Sequence, residues 1–190
     1  MRKYVIAVDM DGVLYPFVDA FNLLYKEATG EQVVFDGWLN FADLPGEVVH
    51  AIWRDPRLFQ ELEPYAEAVT MMEGFAAMPN VEAFIVTSPG REIDITIPAK
   101  WVWLEKWFPM VDARHFVTLQ AKEYFKANLL IEDYPENILA WLVENPANDA
   151  IMIKRPWNEA RIAEVHNYGV KVFNLENVLE YVQSFTGQRS

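Results

Sequence analysis

The sequence predicts an α/β protein: a mainly parallel sheet flanked by helices, with a small helical cap inserted after the first strand. Three observations predict it. Short apolar runs alternate with stretches of helical periodicity along most of the 190 residues, the pattern of strands joined by crossover helices. Three of those runs end in polar side chains, at Asp9, Thr87 and Glu132, as strands do where a site forms at a carboxyl edge. The stretch between about Pro16 and Met72 holds no convincing strand. The expected division is therefore a core of 1–15 and 73–190, with 16–72 as the cap.

The first strand is Tyr4–Val8, YVIAV, a β-branched and aromatic run read as buried. It runs into Asp9-Met10-Asp11-Gly12-Val13. Two carboxylates one residue apart, where a buried strand emerges, are costly unless a cation or a shared proton compensates. Gly12 marks a tight turn or a close approach of the backbone to a ligand. The residues thus suggest a metal and anion site, while an ordinary turn also uses Asp and Gly. An EF-hand fits less well: its glycine stands sixth in a loop preceded by a helix, and Gly12 stands fourth after a strand.

Phe17 to Thr29 has apolar residues at helical spacing and stops at Gly30. An irregular segment, Phe35 to Glu47, is rich in aromatics, Gly and Pro. Helical patterning returns from Glu47 to Arg54 and breaks at Asp55-Pro56. Glu63-Pro64 opens a further helix, with Pro64 in its first turn, ending near Met78. Ala83 to Val86 reads as a strand ending at Thr87-Ser88-Pro89-Gly90, and Ala99 to Phe108 as a helix closed by Pro109. Short strands follow at His115 to Thr118 and Leu129 to Ile131, then a helix from Glu136 to Glu144. Ala150 to Ile153 is a strand, Asn158 to Asn167 a helix capped by Asn158, Val170 to Phe173 the last strand, and Glu176 to Phe185 a terminal helix.

Composition excludes several classes. Hydrophobic content is 52%, far from the profile of a disordered chain. The net charge of −12 argues against a nucleic-acid polymer or an anionic membrane surface as partner. It leaves room for a small phosphorylated substrate, because a few cations and a metal reverse the field locally. The absence of cysteine removes disulfides, thiolate metal sites and thiol nucleophiles. No apolar stretch approaches the roughly 20 residues of a membrane span, and the run before Asp9 is too short for a secretion signal. A cytoplasmic location is expected; a monomer and a homodimer both remain open.

Parallel strands share one carboxyl edge, so Asp9, Asp11, Thr87, Ser88, Glu132 and Asp133 could converge, with Lys122 as a cation. That set suits phosphoryl transfer: carboxylates hold Mg2+, a hard ion that prefers oxygen, and hydroxyls, backbone N–H groups and a lysine hold phosphate oxygens. One carboxylate attacks phosphorus and a second moves the proton. Other readings exist for each part. Glu132-Asp133 could be a turn or a helix start, Lys122 one charge on a solvated face, and Thr87-Ser88-Pro89 a loop entry. Trp101, Trp103 and Trp107 read as packing, and His50, His115 and His166 are scattered rather than clustered.

Here the residues resemble a known family. DMDGV (Asp9 to Val13) resembles the first motif of haloacid-dehalogenase-like (HAD) phosphatases, and IVTS (Ile85 to Ser88) the second. Lys122 and Glu132-Asp133 resemble the third and fourth. The likeness narrows to the 5′(3′)-deoxyribonucleotidases through DMDGVLYPF, IWRDPRLFQELEP, TSP followed by KWVWLEKWFP, and LLIEDYPEN, with RPWN (Arg155 to Asn158) as a further counterpart. The resemblance implies a Rossmann-like (HAD-like) sheet and Mg2+-dependent hydrolysis of a nucleoside monophosphate. It implies Asp9 as nucleophile and Asp11 as acid/base. The metal site would comprise Asp9, Asp11 through its carbonyl, Asp133 and, through water, Glu132. The substrate would meet Met10 (backbone), Thr87, Ser88 and Lys122 at phosphate, Phe17, Trp38 and Trp53 at the nucleoside, and Arg91 and Lys100 from the loop after Thr87. Glu132 stands where these nucleotidases usually have Asp. A HAD phosphatase for another small phosphate ester, and a non-catalytic binding module, are the competing functions.

Overall fold

The computed structural model describes residues 3–33 and 41–186. Among them, six strands form a single parallel sheet: β1 (Tyr4–Val8), β2 (Val81–Thr87), β3 (Phe116–Thr118), β4 (Leu129–Glu132), β5 (Asp149–Ile153) and β6 (Lys171–Phe173). The spatial order is β3-β2-β1-β4-β5-β6. β1 therefore sits at the centre, with Val8 opposite Ile85 on one side and Ile131 on the other. The chain leaves β1 toward β2 and returns later to β4, so the strand order reverses between β1 and β4. A crevice opens at such a switch point, beyond the carboxyl ends of the strands.

The apolar runs read as doubly buried strands because both faces of the sheet are covered. Side chains alternate across a strand. Ile6 and Val8 join one cluster with Ile85, Leu129 and Ile131. Ala7 points the other way, into a cluster with Val86, Leu130 and Met152. The helices are α1 (Phe17–Thr29), α2 (Gly46–Trp53), α3 (Ala66–Ala77), α4 (Ile93–Trp107), α5 (Pro135–Glu144), α6 (Ile162–His166) and α7 (Val178–Thr186). Trp103 of α4 and Phe75 of α3 pack in the first cluster, Trp141 of α5 and Val165 of α6 in the second.

Helix α1 ends where expected, with Gly30 at φ +77° donating its N–H to Lys26, a left-handed cap. Of the boundaries that differ from expectation, three have an evident cause. Helix α3 begins at Ala66, not at Pro64, because the Tyr65 N–H donates to the Leu14 carbonyl at 3.1 Å and holds that stretch against the turn after β1. Helix α4 begins at Ile93, six residues early, and carries Pro98 inside it; the sequence reading began the helix only after that proline. Asn158 does not cap a helix from outside. It lies within a 3-10 turn, Pro156–Arg161, with its side chain buried beneath the sheet edge, and α6 starts only at Ile162.

Between β1 and β2 the described residues form helices and turns but no strand: α1, a 3-10 turn at Phe41–Asp43, α2, another 3-10 turn at Pro56–Phe59, and α3. Helix α3 runs unbroken through position 72 and lies against β2 and α7. The Trp103 indole donates to the Leu62 carbonyl at 2.8 Å, joining α4 to the segment that precedes α3. No helix of the described residues is long and apolar enough to cross a membrane.

Ile131 sits fully buried on β4 beside β1. Ile131→Ala is expected to lower the unfolding free energy by about 2–5 kcal/mol, measured by denaturant melts.

Candidate active site

The turn after β1 is built by close approach. The Asp9 N–H continues the ladder to the Ile131 carbonyl at 2.9 Å, and the N–H groups of Leu14 and Tyr15 both return to the Met10 carbonyl, at 2.9 and 2.8 Å. Gly12 has φ +78°, and a Cβ there would lie 2.1 Å from Asp133 Oδ2. Glycine is thus required twice, by the left-handed backbone and by the carboxylate lying against it. That contact joins the ends of β1 and β4 across the switch point.

Buried charge fills the crevice. Lys122, only 2% exposed, sits 2.6 Å from Asp9 Oδ1 and 2.7 Å from Glu132 Oε2. Glu132 is held on both oxygens: Oε2 also accepts from Asn137, and Oε1 accepts the backbone N–H groups of Asp133 and Tyr134. Lys100 is wholly buried; its Nζ donates to Asp11 Oδ2 at 2.6 Å, Thr87 Oγ1 at 2.9 Å and the Ser88 carbonyl at 2.8 Å. It also lies 4.8 Å from the centre of the Phe59 ring.

Protonation follows from this crowding. Burial, and then Glu132, push the Asp9 carboxyl up to about 7, against the pull of Lys122. Burial, and then Asp9, likewise raise Asp133 to about 7. Asp11 is raised by burial, while Lys100 opposes the shift. Burial works against charge on Lys122, but Asp9 and Glu132 outweigh it and hold the ammonium protonated well above its usual range.

The donor set fits a hard divalent cation. Asp9, Glu132 and Asp133 each offer a carboxylate oxygen within 4.8 Å of the others. Among the described residues four carboxyl groups meet two lysines in the crevice, so full ionisation would leave two negative charges to be offset by a proton or a cation. Asp133 Oδ1 and Asp11 Oδ1 are buried with no hydrogen-bond partner, which is expensive unless a ligand completes them. Oxygen donors alone suit Mg2+ or Ca2+ rather than a soft metal.

Above the carboxylates lies a cavity of about 220 Å³. Asp9, Asp11, Ser88, Lys122, Glu132 and Asp133 line its floor, and Phe17 and Trp53 its wall, with their ring centres 5.6 Å apart. The structure thus brings eight of the expected residues to one cavity. Others stand apart. Thr87 and Lys100 are not among the lining residues; both are fully buried, with Lys100 bonded to Asp11 and to Thr87. Met10 has a fully buried side chain, so only its backbone can face a ligand. Arg91 is exposed and outside the cavity, and Trp38 falls outside the described residues. Sequence reasoning missed Phe41, Gln120, Asn137 and Trp157, all of which line the cavity. Asn137 carried a signal, since it stands in the first turn of α5, within reach of the last residue of β4. Phe41 carried none beyond its place in an aromatic-rich stretch.

A model of the family described as 5′ nucleotidase, deoxy (Pyrimidine), cytosolic type C protein matches residues 3–168. The chain belongs to this family. It is similar to the mitochondrial 5′(3′)-deoxyribonucleotidase of Homo sapiens, 31% identical over 146 residues, covering 71% of this chain and 64% of the human protein. The chain thus matches just under two thirds of that relative's length. The mouse mitochondrial 5′(3′)-deoxyribonucleotidase is 28% identical over 184 residues, 90% of this chain and 78% of that one. Among solved structures, a HAD family hydrolase from Deinococcus radiodurans R1, with bound phosphate and sodium, superposes with a TM-score of 0.61 over 97% of this chain and 96% of that one, at 13% identity. That likeness establishes the HAD-like fold. The deoxyribonucleotidase family membership rests on the sequence match.

The raised carboxyls couple stability to pH and metal. With folded values near 7 against an ordinary 3.8 for Asp9 and Asp133, the folded chain binds their protons more tightly than the unfolded chain does. Their contribution to stability is greatest below about pH 4 and is lost as pH rises through 7. Metal binds the ionised carboxylates, so added Mg2+ should raise Tm more at pH 8 than at pH 6. Asp133→Asn should weaken that difference; thermal melts with and without Mg2+ measure both.

Proposed function

We propose that this protein is a Mg2+-dependent 5′(3′)-deoxyribonucleotidase that hydrolyses nucleoside monophosphates to nucleoside and phosphate. The observation that carries the reading is one cavity with Asp9 and Asp11 on its floor and aromatic rings on its wall. A phosphate dianion fits at the floor, where Lys122, Ser88 and the backbone N–H groups of Met10 and Asp11 can meet its oxygens. Phe17, Phe41 and Trp53 offer stacking faces for a base. We read residues 16–72 as the cap that carries these rings.

In this reading Lys122 holds Asp9 through Oδ1, which leaves Oδ2 to attack phosphorus. A P–O bond forms to Asp9 as the bond to the nucleoside oxygen breaks. Asp11, fixed by Lys100 at Oδ2, gives the departing nucleoside oxygen its proton through Oδ1. It then takes a proton from the water that hydrolyses the aspartyl-phosphate, which restores Asp9 and releases phosphate. Mg2+, held by Asp9, Asp133 and the Asp11 carbonyl, would offset the charge of the phosphate and the attacking carboxylate. Glu132 serves this set by holding Lys122, and reaches a metal only through water. Lys100 acts on Asp11 rather than on substrate, and the Thr87 hydroxyl helps hold Lys100 by accepting from it.

A panel of ribo- and deoxyribonucleoside 5′-, 3′- and 2′-monophosphates, assayed with and without Mg2+, tests the reading; turnover should need the metal and favour deoxyribonucleotides. Asp9→Asn should lower kcat by about 10³-fold or more and leave the circular dichroism spectrum unchanged. Persistent wild-type turnover in that variant would remove Asp9 as the nucleophile. Trp53→Ala should cut kcat/KM for a nucleotide by about 10- to 100-fold, and affect an aryl phosphate far less. Equal losses on both would point instead to a different small phosphate ester.

A further inference from the structure

We propose that the Arg155–Asn158 segment is a positioning device for the metal-binding carboxylate, and that Trp157 restricts Asp133 to one coordinating oxygen, which favours Mg2+ over Ca2+. The inference rests on the metal part of the reading above. The segment follows β5 and reaches back to both central strands. The Trp157 indole N–H donates to Asp133 Oδ2 at 2.7 Å, and both residues are buried. Asn158 Nδ2 donates to the Asp133 backbone carbonyl at 2.8 Å and to the Ile153 carbonyl at 2.9 Å, while its Oδ1 accepts the Arg155 N–H at 3.0 Å. Asp133 is therefore gripped at main chain and carboxylate by neighbouring residues of one loop.

Arg155 fixes the surface on the other side. Its Nε donates to the Gly12 carbonyl at 2.7 Å, and its guanidinium lies 3.8 Å from the centre of the Tyr65 ring. Gly12 is the residue against which Asp133 Oδ2 lies. Oδ2 is thus closed off by an indole donor and a glycine Cα. Oδ1 is buried and without a partner. A carboxylate so held can give a metal one oxygen. That suits Mg2+, a small octahedral ion with oxygens at about 2.0–2.1 Å, and removes an advantage of Ca2+, which takes about 6–8 oxygens and accepts two from one carboxylate. Groups that hold a metal ligand from behind typically change metal affinity by about 10- to 100-fold when removed.

The test is calorimetric titration of Mg2+ and of Ca2+ into the full chain, without substrate. Trp157→Phe keeps an aromatic ring and removes the N–H; Mg2+ affinity should fall about 10- to 100-fold, with a smaller loss for Ca2+. Trp157→His, which retains a ring N–H, should fall between Phe and wild type and serves if the first variant folds poorly. Trp141→Phe is the matched control, since it removes a buried indole bond, 3.2 Å to the Phe125 carbonyl, in the other hydrophobic cluster. It should lose stability and keep wild-type Mg2+ affinity. Unchanged Mg2+ affinity and Mg2+/Ca2+ preference in both Trp157 variants would overturn the proposal, as would an equal loss in Trp141→Phe. A wild-type chain that binds no Mg2+ would bring down the metal reading with it. A chain that binds Mg2+ with the expected Trp157 dependence but cleaves no nucleotide would sink the substrate reading alone.

Discussion

The crowding of four buried or half-buried carboxyl groups around two lysines is the constraint on which the rest of the structure depends. Asp9, Asp11, Glu132 and Asp133 meet Lys100 and Lys122 at the carboxyl edge of the sheet. Each lysine is nearly or wholly buried, so neither is a surface charge that salt would screen away. The pairing is divided: Lys122 serves Asp9 and Glu132, and Lys100 serves Asp11. Asp133 receives no lysine, only an indole N–H. Asp133 Oδ1 is buried without a hydrogen-bond partner, as is Oδ1 of the lysine-paired Asp11.

The fold delivers these groups by its strand order. Because the sheet reverses direction of growth between β1 and β4, the turns after those strands are not covered by a crossover connection. Asp9 and Asp133 face each other across that gap, with only a glycine between backbone and carboxylate. The helices after β1 then close the open side with rings. Phe17 stacks near Phe59 with centres 5.7 Å apart, and Phe59 in turn receives Lys100. The aromatic wall and the charged floor are therefore linked through Phe59 and Lys100, so a shift of the Pro56–Phe59 turn would be felt at Asp11.

A HAD fold alone does not specify a substrate, since one fold hosts many activities. The hydrolase that superposes on this chain does so at 13% identity. The aromatic side of the pocket comes from the segment between β1 and β2. There lie Phe17, Phe41 and Trp53, and Gly90 from the loop after β2 packs so closely on Trp53 that a Cβ would sit 3.0 Å from the indole.

The sequence by itself determined the sheet and most of the acidic floor. Doubly buried parallel strands must be continuous apolar runs, and a charge placed at the end of one stands out because burial is costly. Asp9, Asp11, Glu132 and Asp133 were legible for that reason, as were the six strands. Only the tertiary structure decided who partners whom. Lys100 and Asp11 are 89 positions apart, and Trp157 and Asp133 are 24 apart, so no local period links them. The resemblance alone assigns Lys100 to substrate; in the fold it is buried, and its ammonium donates to Asp11, Thr87 and the Ser88 carbonyl. Asn158 is legible as a helix cap from its neighbours, yet spent on the carbonyls of Asp133 and Ile153 because those strand ends lie beside it. Local chemistry names the groups that must be compensated; the crossing of distant strands selects the group that compensates each.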